Sequence, residues 1–125
     1  MLISIPVSLG ELVDKITILQ IKAEHLEAEA LAHVSEELAL LQQALAAAAV
    51  DLDAALEAEL LAVNRRLWQI EDAIRDQERR ACFDAAFIDL ARAVYRTNDQ
   101  RAALKRQINE LYGSTLIEQK SYSAY

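Results

Sequence analysis

Residues 56–74 read LEAELLAVNRRLWQIEDAI, and this stretch decides the fold class. Its apolar residues recur at alternating spacings of four and three. They are Leu56, Leu60, Val63, Leu67, Ile70 and Ile74. That spacing places one continuous apolar stripe on an α-helix, and such a stripe packs on a partner helix at a shallow crossing angle. The stretch therefore predicts a long amphipathic helix inside a helical bundle.

Two further long helices are predicted, one before this stretch in the sequence and one after it. Ser8 and Glu11 have the spacing of a capping box, which predicts that the first helix begins at Leu9. Asp84 is an N-cap residue type, and Gly113 is the usual residue just past a helix end. We therefore expect the last helix to run from Ala85 to Tyr112.

The second helical segment is less clearly bounded. Its apolar positions repeat the rhythm of the first helix and are Val34, Leu38, Leu41, Leu45 and Ala48. No glycine or proline separates it from the first helix, so two alternatives stay open: a reversal near Ala30–His33, or one bent helix running to about Ala49. The next break is predicted at Val50–Asp53, where either aspartate can cap the helix that follows.

Composition supports the same fold class. The 125 residues include only two glycines and one proline, which leaves little material for hairpin turns. We expect residues 1–125 to form one domain, all-α, an antiparallel helical bundle of three to four long, coiled-coil-like helices with short extended termini. The apolar residues of Thr115–Ile117 are candidates to pair, extended, with Leu2–Ile5.

Charge excludes some partners. The formal net charge of −7 argues against binding to nucleic acid or to an anionic membrane surface, since both need a basic face. Residues 1–62 contain two basic and 11 acidic side chains, whereas residues 63–125 contain 11 basic and nine acidic ones. The acidic half is therefore expected to attract the basic half, within one chain or across a dimer.

No cofactor, metal or export signal is expected. The sequence has no P-loop, glycine-rich dinucleotide turn or zinc pattern, and Cys82 is its only cysteine. Residues 1–6 lack a basic region and a cleavage site typical of a signal peptide, and no apolar run reaches membrane-spanning length. We therefore expect a cytoplasmic protein.

Polar chemistry interrupts the stripe of the last helix. Its expected core positions are Phe87, Leu90, Val94, Thr97, Arg101, Leu104, Ile108 and Leu111. A guanidinium aimed at a core needs a carboxylate, and Asp14 or Glu11 of an antiparallel first helix would supply it. The whole candidate cluster is Glu11, Asp14, Lys15, Lys22, Tyr95, Thr97, Asn98, Asp99, Arg101 and Lys105.

Several interpretations of this cluster stay open. One is an ion-pair network that fixes helix register. Another is a pocket for a small anion, in which Arg101, Lys105 and Asn98, with Lys15 or Lys22, bind the ligand and Glu11 or Asp14 acts as acid or base, following the logic of helical chorismate mutases.

A third interpretation is magnesium-dependent pyrophosphate hydrolysis. It needs Glu11 and Asp14 on one helix face, completed by Glu57 and Glu59 or by Glu71 and Asp72. No residue is assigned a catalytic role from the sequence.

The leading functional hypothesis is an interaction or scaffold protein. The chain has few aromatic side chains to fill a core, while the second and third helices are rich in leucine. We expect this leucine to be buried against a second copy, which makes the protein a homodimer. The alternative is the small-anion binder or enzyme described above.

Long motifs also connect this chain with a known family. They are Ile5-Pro-Val-Ser-Leu-Gly-Glu-Leu-Val-Asp-Lys-Ile-Thr-Ile-Leu19 with Ile21-Lys22, Leu67-Trp-Gln-Ile-Glu-Asp72, Ala91-Arg-Ala-Val-Tyr-Arg-Thr-Asn-Asp-Gln-Arg-Ala-Ala-Leu-Lys105, and Lys120-Ser-Tyr122. With these the chain resembles a family of small all-helical bacterial proteins of unknown function, with the motifs VSxGELxDKITILxIK and VYRTNDxRAxLK. The resemblance implies a bacterial cytoplasmic protein and no particular activity. The chain lacks the family's Asp-Pro break between the first two helices, which leaves the first turn open.

Overall fold

The structure, a computed structural model, describes residues 1–116 and 118–125. It contains four helices, α1 (Leu9–His25), α2 (Ala28–Ala47), α3 (Ala54–Arg79) and α4 (Ala85–Leu111). None of the described residues forms a β-strand. The all-α fold predicted from the sequence is therefore confirmed.

Side-chain caps fix the start of three helices. The Ser8 hydroxyl accepts a hydrogen bond from the Glu11 amide, Asp53 accepts from Ala55 and Leu56, and Asp84 accepts from Phe87. These caps satisfy amides that have no partner within the helix. The predicted starts of the first and last helices and the predicted break at 50–53 are confirmed. The last helix ends at Leu111, one residue earlier than expected.

The predicted position of the first turn is wrong. Neither a reversal at Ala30–His33 nor one bent helix is present, because α1 already ends at His25 and α2 begins at Ala28. Leu26 is extended, with ψ of 155°, and Ala28 has a φ of 54°. An alanine takes the left-handed conformation that usually signals glycine, so the turn lacks its ordinary sequence marker.

Helices α1, α3 and α4 enclose the core. Contacts between Gly10 and Asn109 and between Asp14 and Arg101 show that α1 runs antiparallel to α4. Its neighbour α3 is parallel to α1 and antiparallel to α4. The apolar core consists of Val13, Leu60, Val63, Leu67, Leu104 and Ile108.

Helix α2 lies outside this three-helix core. It packs on α1 and makes no comparable contact with α3 or α4. Only Val34 of its twenty residues is buried. Leu60 and Leu67 of α3, by contrast, are buried within the chain, so part of the leucine assigned to a dimer interface belongs to the core.

The α3–α4 hairpin extends beyond α1. At 1.5 Å per residue, α1 with 17 residues is about 25 Å long, whereas α3 with 26 residues is about 39 Å long. No residue between Leu67 and Thr97 is buried, and Phe83 and Ile88 are exposed. The outer half of the hairpin is thus a two-helix projection.

The termini have no secondary structure in the described part of the chain. Leu2, Ile3 and Ile5 are exposed. The expected pairing of this segment with Thr115–Ile117 involves Ile117, which lies outside the described residues. None of the four helices combines the length and the apolar character needed to cross a membrane.

Candidate functional site

Asp14 is the centre of a buried polar network. Its carboxylate is fully buried between α1, α3 and α4. Arg101 of α4 donates to it from Nε at 2.9 Å and also from Nη2, and Asn64 of α3 donates from Nδ2 at 2.9 Å. Asp14 is one of the two carboxylates that the sequence offered as a partner for Arg101; the other was Glu11.

Lys105 follows Arg101 by one helical turn and is buried as well, with its side chain 6% exposed. Its Nζ lies 2.7 Å from the Glu11 carboxylate and 2.9 Å from that of Glu118, and Asp14 is 3.9 Å away. A buried ammonium group needs such partners, because the loss of its hydration costs on the order of several kcal/mol. Carboxylates from α1 and from the C-terminal segment supply them here.

Close approach of α1 and α4 places these groups within reach of each other. The Gly10 amide donates to Asn109 Oδ1 at 2.7 Å. A Cβ atom on residue 10 would lie 2.5 Å from the Lys105 carbonyl oxygen, closer than van der Waals contact allows. Glycine at this position therefore permits the helix spacing on which the network depends.

Electrostatics keep the network ionised. Burial by itself raises the pKa of Asp14, but hydrogen bonds from Arg101 and Asn64 and the charges of Arg101 and Lys105 outweigh it and hold that pKa below the usual 3.8. The bond to Asp14 raises the pKa of Arg101, against the effect of burial. Burial lowers the pKa of Lys105, but the bonds to Glu11 and Glu118 outweigh it and the net direction is upward.

Charges within the network balance. The cations are Lys15, Arg101 and Lys105, and the carboxylates are Glu11, Asp14 and Glu118. Each cation already contacts a carboxylate of the same chain. This balance favours the register-fixing interpretation over a pocket in which Arg101 and Lys105 bind a free anion.

The carboxylates of the pyrophosphohydrolase interpretation are engaged elsewhere. Asp14 and Glu11 face Arg101 and Lys105, and Glu71 pairs with Arg75 on its own helix. Over residues 1–116 and 118–125, no three His, Cys, Asp or Glu side chains are grouped so that they could hold a metal ion. The geometry gives that reaction no support.

The structure divides the remaining candidate residues. Thr97 is buried beside the network, whereas Lys15 reaches Glu11 only at 3.7 Å from the exposed side and Lys22 lies two turns further along α1. Tyr95 and Asp99 face the C-terminal segment instead. Asp99 accepts hydrogen bonds from Lys120 at 3.2 Å and from the Tyr125 hydroxyl, and the rings of Tyr95 and Tyr125 are 5.2 Å apart.

Sequence reasoning missed five members of the network, namely Gly10, Thr17, Asn64, Asn109 and Glu118. Two of them had a detectable signal. Asn64 lies on the stripe of α3, four residues after Leu60 and three before Leu67, and Gly10 is a helix-disfavouring residue inside a well-capped first turn. Glu118 had none, since it lies in a segment without helical periodicity.

Two clefts flank the network. One, of about 830 Å³, lies between α4 and the C-terminal segment, and the other, of about 490 Å³, lies between α1, α3 and α4. Asn98 and Arg101 line both clefts. Arg101 thus holds Asp14 with one edge of its guanidinium while remaining partly accessible.

A family model described as a family of unknown function, DUF6165, matches residues 3–125. No curated protein and no solved structure matches the chain.

Proposed function

The chain belongs to the DUF6165 family, and we propose that it is a homodimeric helical interaction module whose two copies pair through α2. The observation that carries this proposal is the position of α2. Its apolar stripe packs on one neighbouring helix, and Val34 is its only buried residue. A cytoplasmic, bacterial setting, as expected from the sequence, belongs to the same proposal.

The sequence of α2 favours a second copy as the occupant. Residues 38–50 read LALLQQALAAAAV and contain no charged side chain. An uncharged face offers a charged partner nothing to pair with, whereas two identical uncharged faces related by a two-fold axis meet without repulsion. The small alanine side chains also let two helices approach closely.

An antiparallel pairing also keeps acidic residues apart. The three acids of α2 are Glu29, Glu36 and Glu37, all in its N-terminal half. If two α2 helices cross near Gln42 and Gln43, each acidic half lies beside the neutral end of the other copy. Leu40 is 42% exposed and lies outside the α2 stripe that packs on α1. In this pairing its side chain becomes buried.

Sedimentation equilibrium at micromolar concentration tests the proposal. We expect the mass of two chains for the wild type and of one chain for the double variant Leu40→Glu/Ala44→Glu, because four like charges would meet at the interface. Both positions are exposed in the single chain, so the variant is expected to keep its helical circular dichroism.

Ile88→Glu is the matched control. Ile88 is 55% exposed at the outer end of the α3–α4 hairpin, so the same change there should leave the dimer intact. A wild-type mass of one chain would contradict the proposal. If Ile88→Glu dissociated the dimer and the α2 variant did not, the dimer interface would lie on the α3–α4 hairpin instead of on α2.

A further inference from the structure

The cleft between α1, α3 and α4 has the size and lining of a small-molecule site. Its volume of about 490 Å³ lies within the range of ligand pockets, about 300–1,000 Å³. Ile18, Ile21, Leu67 and Trp68 form its apolar wall. A wall of this kind binds an apolar group of a ligand by removing it from water.

Trp68 is held in this wall from one side. The ring of His25 packs against it at a tilt of 33°, with ring centroids 4.7 Å apart. The indole N–H is buried and has no acceptor among the described residues. Because tryptophan can only donate, the wall contains a donor that no residue in the described part of the chain satisfies.

The polar groups of the cleft divide into engaged and unengaged ones. Glu71 and Arg75 pair with each other along α3. Arg101 uses Nε and Nη2 for Asp14, which leaves Nη1 without a partner in the described chain. The side-chain amide of Asn98 and the Asp72 carboxylate, which also line the cleft, make no hydrogen bond with any described residue.

These unengaged groups define a complementary ligand. Arg101 and Asn98 supply donors for a carboxylate, Asp72 supplies an acceptor for an ammonium group, and Trp68 lines the same cleft. The lining contains two cations and two carboxylates, so a ligand without net charge matches it better than an anion does.

We propose that this cleft binds a free α-amino acid with a large apolar side chain. The carboxylate of the ligand contacts Arg101 and Asn98, its ammonium group contacts Asp72, and its side chain packs on Trp68. This site is separate from the α2 face and does not depend on pairing of two copies.

Four probes test each part of the ligand: L-phenylalanine, N-acetyl-L-phenylalanine, phenethylamine and glycine. Trp68 is the only tryptophan, so its fluorescence reports occupancy of the cleft directly. We expect a saturable response to phenylalanine. Loss of the carboxylate in phenethylamine should weaken binding about tenfold or more, and glycine, which has no side chain for the wall, should give no response.

Variants separate the two ends of the ligand. Asp72→Asn should weaken phenylalanine binding about threefold, as expected for an exposed ion pair, and should leave N-acetyl-L-phenylalanine unchanged. Asn98→Ala should weaken binding of both. Glu59→Gln, an exposed change on α3 outside the cleft, is the matched control and should alter neither.

Three outcomes would overturn the proposal. One is the absence of a saturable response to phenylalanine up to its solubility limit. Another is equal binding of phenylalanine and phenethylamine, which would remove the carboxylate contact. The third is an Asp72→Asn variant that changes both ligands equally or neither, since the ammonium contact would then be absent.

Discussion

Asp14 links three helices through one buried carboxylate. It receives hydrogen bonds from Arg101 on α4 and Asn64 on α3 while belonging to α1 itself. Removing one partner of such a group leaves an uncompensated buried charge, which costs about 3–5 kcal/mol. The free energy of unfolding should therefore depend on these residues as a unit.

A double-mutant cycle measures this dependence. We expect Asp14→Ala and Arg101→Ala to show a coupling free energy of about 1–3 kcal/mol in urea unfolding. The exposed pair Glu71 and Arg75 is the matched control, and its coupling should not exceed about 0.5 kcal/mol. Additive effects of Asp14→Ala and Arg101→Ala would show that the buried pair does not join the helices.

The pH dependence of stability follows from the lowered pKa of Asp14. Its ionised form stabilises the fold above the unfolded-state pKa of 3.8, and this contribution is lost as the pH falls through the lower folded-state pKa. The raised pKa values of Arg101 and Lys105 act only at alkaline pH, so they do not affect the acidic window.

Urea unfolding at pH values between about 6 and about 3 tests this dependence. The unfolding free energy of the wild type should fall more steeply toward low pH than that of Asp14→Asn, which cannot ionise at this position. The comparison concerns slopes, because the substitution also changes the part of the stability that does not depend on pH. Parallel curves would mean that Asp14 has the same pKa in both states.

At the residue scale, the sequence indicated the network but not its full membership. Arg101 could be predicted because it occupies a position where helical spacing calls for an apolar residue. Asn109 and Glu118 could not, because their role depends on how closely α1 and the C-terminal segment approach α4. That approach is a tertiary property, made possible by Gly10.

At the element scale, the starts of α1, α3 and α4 and the end of α4 could be predicted, whereas the start of α2 and the end of α1 could not. Ser8, Asp53 and Asp84 cap through side chains whose chemistry is visible in the sequence. Only α4 ends with a glycine, Gly113, at a φ of 64°. The ends of α2 and α3 have alanine in the equivalent left-handed position.

Replacing these alanines should stabilise the protein. Ala49 and Ala81 have φ values of 54° and 51°, a conformation that costs a residue with a Cβ atom about 1 kcal/mol or more and glycine much less. We expect Ala49→Gly and Ala81→Gly each to raise the unfolding free energy by about 0.5–1 kcal/mol.

Ala58→Gly serves as the control for this prediction. Ala58 is exposed within α3, where glycine should lower the unfolding free energy by about 1 kcal/mol. Thermal or urea unfolding distinguishes the signs. Destabilisation by Ala49→Gly and Ala81→Gly would show that the flexibility gained by the unfolded chain outweighs the relief of strain.

At the scale of the whole molecule, the charge division in the sequence becomes a set of contacts. The acidic first half meets the basic second half through Asp14 and Arg101, Glu11 and Lys105, and Glu24 and Arg65. The sequence left open whether this attraction acts within one chain or between two. These three pairs join residues of the same chain.

Stability should vary along the α3–α4 hairpin. The inner half packs on α1, whereas no residue between Leu67 and Thr97 is buried. Local opening requires the least free energy where few apolar contacts must be broken. In hydrogen exchange followed by mass spectrometry, we expect peptides from the outer half to exchange before those covering Leu60–Leu67 or Leu104–Ile108.

The α2 variant Leu40→Glu/Ala44→Glu is the control and is measured alongside the wild type. A change in oligomeric state should not alter the order in which the hairpin peptides exchange. Uniform protection along α3 and α4 would contradict the prediction. It would indicate that another chain covers the outer half of the hairpin.

The closed geometry around Gly10, Asp14 and Arg101 also constrains how this protein can evolve. A relative that loses the guanidinium at position 101 but keeps the carboxylate at position 14 should fold poorly, because it has an unpaired buried charge. The two positions should therefore be inherited or replaced together among relatives. Position 10 should admit a larger residue only where the first and last helices have drifted apart.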